Sequence, residues 1–174
     1  DYSALVGSRI CHDLISPIGA ISNGVELLAM TDGDTSAEMS LISESVDNAN
    51  ARIRFFRIAF GGAKADQLVN RAEVLSVLAA AAKGGRHTYY WQVEQDNQRR
   101  NVRIAFLLLL CMESALPTGG DITVNKDGDV WVITAEGNRL KYEPELWDGM
   151  IGQTTPIEHS AAQVQFALLP DIIT

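Results

Sequence analysis

His12 stands in the run Ser8-Arg9-Ile10-Cys11-His12-Asp13-Leu14-Ile15-Ser16-Pro17, with a carboxylate beside it, a guanidinium about one helical turn before it and a hydroxyl one turn after. A neutral imidazole is a competent nucleophile, and an exposed histidine with a pKa near 6.5 is mostly neutral at neutral pH. Displayed to solvent, such a ring suits taking up a phosphoryl group and giving it back, because the P–N bond it forms is labile. In that chemistry Asp13 would hydrogen-bond the ring, orient it or take up its proton, and Arg9 would steady phosphate charge.

The display depends on the helix beneath. Val6, Ile10, Leu14, Pro17/Ile18, Ile21, Val25 and Leu28 recur in steps of three and four, which predicts an amphipathic helix over residues 3–30. At about 100° per residue, His12 falls about 200° from both Ile10 and Leu14, near the opposite face. Ser16, Gly19 and Asn23 lie within about 40° of it. Ile15, Gly19 and Asn23, with parts of the following helix, are the expected docking surface for a partner. Gly19 and Gly24 each cost about 1 kcal/mol relative to alanine in a helix, which implies loose packing or a close neighbour. Pro17 should bend the helix.

Thr31-Asp32-Gly33-Asp34-Thr35-Ser36 reads as a turn, with Gly33 as C-cap and Thr35 or Ser36 as N-cap. Met39, Ile42, Val46, Ala49, Ile53, Phe56 and Phe60 then form an unbroken heptad seam on a second helix, over about 36–60. Two helices cannot close a core alone. Two such hairpins make a four-helix bundle, so the expectation is a homodimer with one His12 per chain on the outside, the alternative being that the C-terminal half caps the hairpin within one chain.

Gly61-Gly62 marks a boundary, dividing residues 1–62 from 63–174. Beyond it the pattern predicts a helix from Leu68 to Lys83, a strand from Thr88 to Glu94 and a buried helix from Asn101 to Ala115 stopped by Pro117 and Gly119-Gly120. A hairpin of Asp121–Val124 and Val130–Thr134 and a short helix over Pro144–Met150 follow. The alternation in Gln163-Val164-Gln165-Phe166 leans the last stretch, Glu158 to Leu169, toward strand. The fold class is α+β.

The composition narrows the function. The 174 residues are 47% hydrophobic, enough for a packed core, with a net charge of -8. That balance opposes nucleic acid and anionic lipid, both of which demand a basic surface. The longest apolar run, Ile104 to Met112, is too short to cross a membrane, and Asp1 to Leu5 lacks the start of a signal peptide. Cys11 and Cys111 lie in apolar helical patterns and read as small buried thiols in a reducing cytoplasm. His87 and His159 lack supporting partners and read as structural or surface residues. No metal-ligand spacing, phosphate loop or nucleophile elbow is present.

The run His-Asp-Leu-x-x-Pro followed by a helical hairpin resembles the dimerisation and phosphoacceptor region of sensor histidine kinases. The second half resembles their ATP-binding domain in order, with Phe106 to Val124 similar to the N-box helix and its following strand. The departures are specific. Kinases place asparagines in the N-box helix where Leu110 and Ser114 stand here. Their Asp-x-Gly-x-Gly loop is replaced by Thr134-Ala135-Glu136-Gly137-Asn138-Arg139, and no Gly-x-Gly lid follows. Those glycines let backbone approach the phosphates. A kinase-like shell without its nucleotide site resembles the histidine phosphotransferases of alphaproteobacterial phosphorelays.

That resemblance implies a dimeric hairpin joined to a degenerate ATPase-like sandwich. It implies His12 as the residue that accepts phosphate from a receiver-domain aspartate of a hybrid kinase and passes it to response regulators. Ser16 stands where kinase relatives carry the residue that positions a hydrolytic water. The chain is expected to bind no cofactor and no ATP, with Mg²⁺ supplied by the partner receiver domain. The alternatives are a non-enzymatic pseudo-kinase module that binds or inhibits kinases, and an active kinase with an unusual ATP site, which the missing glycines oppose.

Overall fold

The computed structural model describes residues 2–31, 33–64, 66–152 and 158–173. Helices α1 (Ser3–Met30) and α2 (Ser36–Ala59) are joined by a short connection and pack side by side as a helical hairpin. α1 stays helical through Pro17. Its C-cap is Thr31 in extended conformation, not Gly33, which takes φ +139° farther into the turn. Thr35 occupies the N-cap of α2 without a side-chain cap bond. Asp34 Oδ1 instead accepts from the Ser36 backbone N–H at 3.0 Å, and this bond holds the Asp34 carboxyl below its ordinary pKa. Gly24 is buried where α2 comes closest: a Cβ there would lie 2.6 Å from Ile42 Cγ1.

The rest of the chain is mixed α+β. A two-residue strand β1 (Leu68–Val69) pairs antiparallel with β3 (Asn97–Gln98). Helix α3 (Arg71–Lys83) therefore starts later than the pattern predicts, at Asn70, whose side chain accepts from Glu73 N. Strand β2 (His87–Trp91) is shorter than expected. It pairs parallel with β4 (Gly120–Asp127), which pairs antiparallel with β5 (Val130–Glu136) in a sheet ordered β2-β4-β5. The parallel pair requires a crossover, supplied by α4 (Arg99–Ala115). Gly119 just before β4 and Gly120 at its start have positive φ, and side chains there would run into the carbonyls of Arg86 and Glu136. Helix α5 (Pro144–Met150) lies where the sequence places it.

The final stretch corrects the leaning toward strand. It is a 3-10 turn at Ala161–Gln163 that runs into helix α6 (Val164–Ile173). The sequence held the signal: Ser160-Ala161-Ala162-Gln163 is a capping-box pattern. Its reciprocal half forms, with Gln163 Oε1 accepting from Ser160 N at 3.1 Å and from Ser160 Oγ at 3.0 Å.

The core sits where the last two turns of α2 meet α4 and the sheet. Phe55 and Phe106 are fully buried with ring centroids 4.7 Å apart, and Trp91, Leu109, Leu110 and Ile122 surround them. The upper hairpin buries far less. Of the heptad seam, Phe56 is buried, Ile42, Ala49 and Phe60 are half-buried, and Met39, Val46 and Ile53 are exposed. Cys111 is buried, and burial pushes its thiol pKa up. Cys11 is exposed, against expectation, because α2 covers only one stripe of α1 and Cys11 lies off it.

Candidate phosphoacceptor site

His12 and Asp13 point in different directions from the same helix. The His12 side chain is 81% exposed and the Asp13 side chain only 12%. About 100° of helical rotation separates them, which turns Asp13 toward the C-terminal half of the molecule. The two still meet at their tips, with His12 Nδ1 3.1 Å from Asp13 Oδ1. A carboxylate only accepts, so this contact places the ring proton on Nδ1 and leaves the Nε2 lone pair free and facing water.

A nearly buried carboxylate needs compensation, and Arg9 provides it. Arg9 Nε donates to Asp13 Oδ2 at 3.1 Å, and Arg9 is itself 11% exposed. Its Nη1 donates to the Ala162 carbonyl at 2.7 Å, in the 3-10 turn before α6. Arg9 is thus turned inward onto Asp13 and the C-terminal segment, not outward toward the exposed Nε2 of His12.

Below this pair lies a second charged pair, which sequence reasoning missed. Arg52 on α2 donates to Glu113 Oε2 of α4 at 3.5 Å, and Tyr89 of β2 donates to Glu113 Oε1 at 2.5 Å. Burial pulls the Arg52 pKa down, but the negative charges of Glu113 and then Asp13 outweigh it and leave the guanidinium above its ordinary value. Burial, reinforced by Glu113, pushes the Tyr89 phenol up. Glu113 lies within an otherwise apolar run, so periodicity alone reads it as core. Its signal was the charge itself inside a helix that buries nearly every side.

The other expected residues lie around His12. Ser16, Gly19 and Asn23 are exposed, and Ile15 is 69% exposed. Among the described residues, nothing lies within 4 Å of a Cβ built on Gly19. His12, Ile15, Ser16, Gly19 and Asn23 thus make one open face, with none of the described elements over it. His87 is structural as expected, its Nε2 2.9 Å from the Leu116 carbonyl. Among the described residues, no three His, Cys, Asp or Glu side chains cluster as a metal site, and no helix is long and apolar enough to cross a membrane.

Residues 71–174 match the family model described as histidine phosphotransferase C-terminal domain. The chain belongs to the histidine phosphotransferase family. It is 36% identical, over 97% of its length and 84% of the relative's, to the protein phosphotransferase ChpT of Brucella abortus (strain 2308). Its fold matches a solved bacterial phosphotransferase with a TM-score of 0.79 and 32% identity, across 99% of this chain and 85% of that one. Histidine phosphotransfer is therefore this chain's function.

The positions that resemble the kinase N-box are built differently here. Leu110 is fully buried. Ser114 Oγ donates to the Leu110 carbonyl at 2.9 Å and accepts from Gln165 of α6 at 3.0 Å. α6 packs along α4 over this stretch.

Proposed function

We propose that the chain is the histidine phosphotransferase of a phosphorelay, with His12 as its phosphoacceptor, working as a homodimer between receiver domains. The observation that carries the assignment is the pairing of an 81% exposed imidazole with a nearly buried carboxylate that contacts only its Nδ1. His12 Nε2 attacks the phosphorus of a receiver's aspartyl phosphate in line. The P–O bond to the receiver carboxylate breaks, and its electron pair stays on that carboxylate. The product is Nε2-phosphohistidine with the proton retained on Nδ1. Asp13 stabilises the positive ring that results, and the same steps reversed deliver phosphate to a response regulator. Such transfer needs positioning and charge neutralisation more than covalent help from the protein. Mg²⁺ enters with the receiver, whose acidic pocket holds it.

Ile15, Ser16, Gly19 and Asn23 form the docking face, and Gly19 lets a receiver approach closely. Ser16, one turn from His12, is placed to hold a water for slow phosphohistidine hydrolysis. The dimer is supported by exposed apolar residues at heptad spacing, Met39, Val46 and Ile53 on α2 with Ile18 and Val25 on α1. The C-terminal half is read as an ATPase-like shell that binds no nucleotide. The reading rests on Leu110 and Ser114 at the N-box positions and on α6 packed over them.

The deciding experiment is transfer from a radiolabelled, phosphorylated receiver domain to the wild type and to His12→Ala, with labelled ATP alone as control. Label on the wild type and none on the variant is the expected result. Equal labelling of both, or labelling from ATP alone, overturns the assignment.

A further inference from the structure

Gln165 is entirely buried, with a relative exposure of 0%, beneath the face of α1 that carries Asp13. An amide buried among Val164, Phe166 and Leu169 carries a desolvation cost that an apolar side chain would avoid. The cost is not fully offset, because Gln165 Oε1 has no hydrogen-bond partner among the described residues. The other end of the amide is fully used. Nε2 donates to Ser114 Oγ at 3.0 Å and to the Ala162 carbonyl at 3.0 Å. The orientation is dictated by chemistry. A carbonyl only accepts and the Ser114 proton is directed to the Leu110 carbonyl, so nitrogen must face both partners.

The Ala162 carbonyl is also the group that holds Arg9, at 2.7 Å from Nη1. A continuous chain of polar contacts therefore runs from α4 to the reacting ring: Ser114, Gln165, the Ala162 carbonyl, Arg9, Asp13, His12. Its links come from α4, α6, the 3-10 turn and α1. Arg9 makes the chain directional, since its Nε and Nη1 must meet Asp13 and Ala162 together. Movement of the turn carries the guanidinium, the carboxylate and the ring tautomer with it.

We propose that Gln165 is a positioning residue for phosphotransfer, fixing the Ala162 carbonyl so that Arg9 presents Asp13 to Nδ1 of His12. The inference rests on His12 as phosphoacceptor. It gives the C-terminal helix a part in the reaction carried out on the hairpin.

The test uses the full chain with Gln165→Met, which nearly keeps the volume and removes both donors, and Arg9→Lys, which replaces the fixed fork that spans Asp13 and Ala162 with a single ammonium. Two quantities are read. One is the rate of transfer from a phosphorylated receiver domain. The other is the Nδ1-H share of the His12 tautomers, from ¹⁵N–¹H correlation of the ring in the unphosphorylated protein. Both variants should slow transfer about fivefold to tenfold, as expected for one weakened hydrogen bond. Both should also shift the ring away from the Nδ1-H form. A urea midpoint for Gln165→Met at or above the wild type separates positioning from loss of stability. If Gln165→Met does not fold, Arg9→Lys decides. Wild-type tautomer and rate in the folded variants overturn the proposal, as does a slowed rate with an unmoved tautomer. The tautomer measurement needs no donor, so it still decides if no receiver labels the wild type, a result that would instead sink the phosphoacceptor assignment.

Discussion

His12 and Asp13 are adjacent in sequence and play opposite structural parts. The ring is almost free of the protein, while the carboxylate is enclosed with Arg9. Their substitutions should therefore separate stability from transfer. His12→Ala removes no packing and should leave the urea unfolding free energy within about 0.5 kcal/mol of wild type, while abolishing labelling. Asp13→Asn leaves the enclosed Arg9 guanidinium without its counter-charge and should cost about 1–3 kcal/mol in the same measurement. It should also slow transfer about tenfold to a hundredfold, because a charge-assisted contact to Nδ1 becomes a neutral one. The sequence made His12 legible because a polar face opposite an apolar stripe is a matter of periodicity. It did not show that Arg9 turns inward, since that depends on a backbone carbonyl from a segment 153 residues away in the chain.

At the scale of elements, α1 divides its circumference among different neighbours. Ile10, Leu14, Ile21 and Leu28 are half-buried on one stripe, Gly24 lies against Ile42 of α2, Arg9 and Asp13 turn toward the C-terminal segment, and His12 with Gly19 and Asn23 is exposed. The two glycines mark two of these sectors and should respond oppositely. Gly24→Val drives a side chain into Ile42 and should cost about 2 kcal/mol by urea unfolding. Gly19→Ala meets none of the described residues and should gain up to about 1 kcal/mol from helix propensity. If receivers dock on that face, the same alanine lowers the rate of transfer while raising stability. α1 was readable because it is long and periodic. α6 was not, because a ten-residue helix that buries most of its sides shows little periodicity, and a short apolar run reads equally as strand. Its start was written in the Ser160–Gln163 pattern. Gln165 could not be found from spacing at all, because its meaning lies in partners on α4 and α1.

Across the whole molecule, two separate features tie the hairpin to its surroundings. The first is internal: Arg52, Glu113 and Tyr89 join α2 to α4 and β2 inside the core. Arg52→Met should cost about 2 kcal/mol, leaving Glu113 with Tyr89 alone, less than a fully buried pair because the Arg52 side chain is 32% exposed. The second is external. Cys11, Ile18 and Val25 recur every seven residues along α1, as Met39, Val46 and Ile53 do along α2, and all six are exposed in the single chain. A strip of this kind on both helices of a hairpin fits a second copy, and His12 lies about 100° around α1 from it, clear of the interface. The sequence pattern placed Cys11 in an apolar environment, and the dimer is the arrangement that would supply one. Light scattering should give twice the chain mass for the wild type, and Val46→Glu should give a monomer. Iodoacetamide should modify Cys11 slowly in the wild type and rapidly in Val46→Glu, with Cys111 unreactive in both until the protein unfolds. A monomeric wild type with a rapidly reacting Cys11 would show that the strip faces water. The dimer would then have no part in presenting His12, and the apolar heptads would need a different partner.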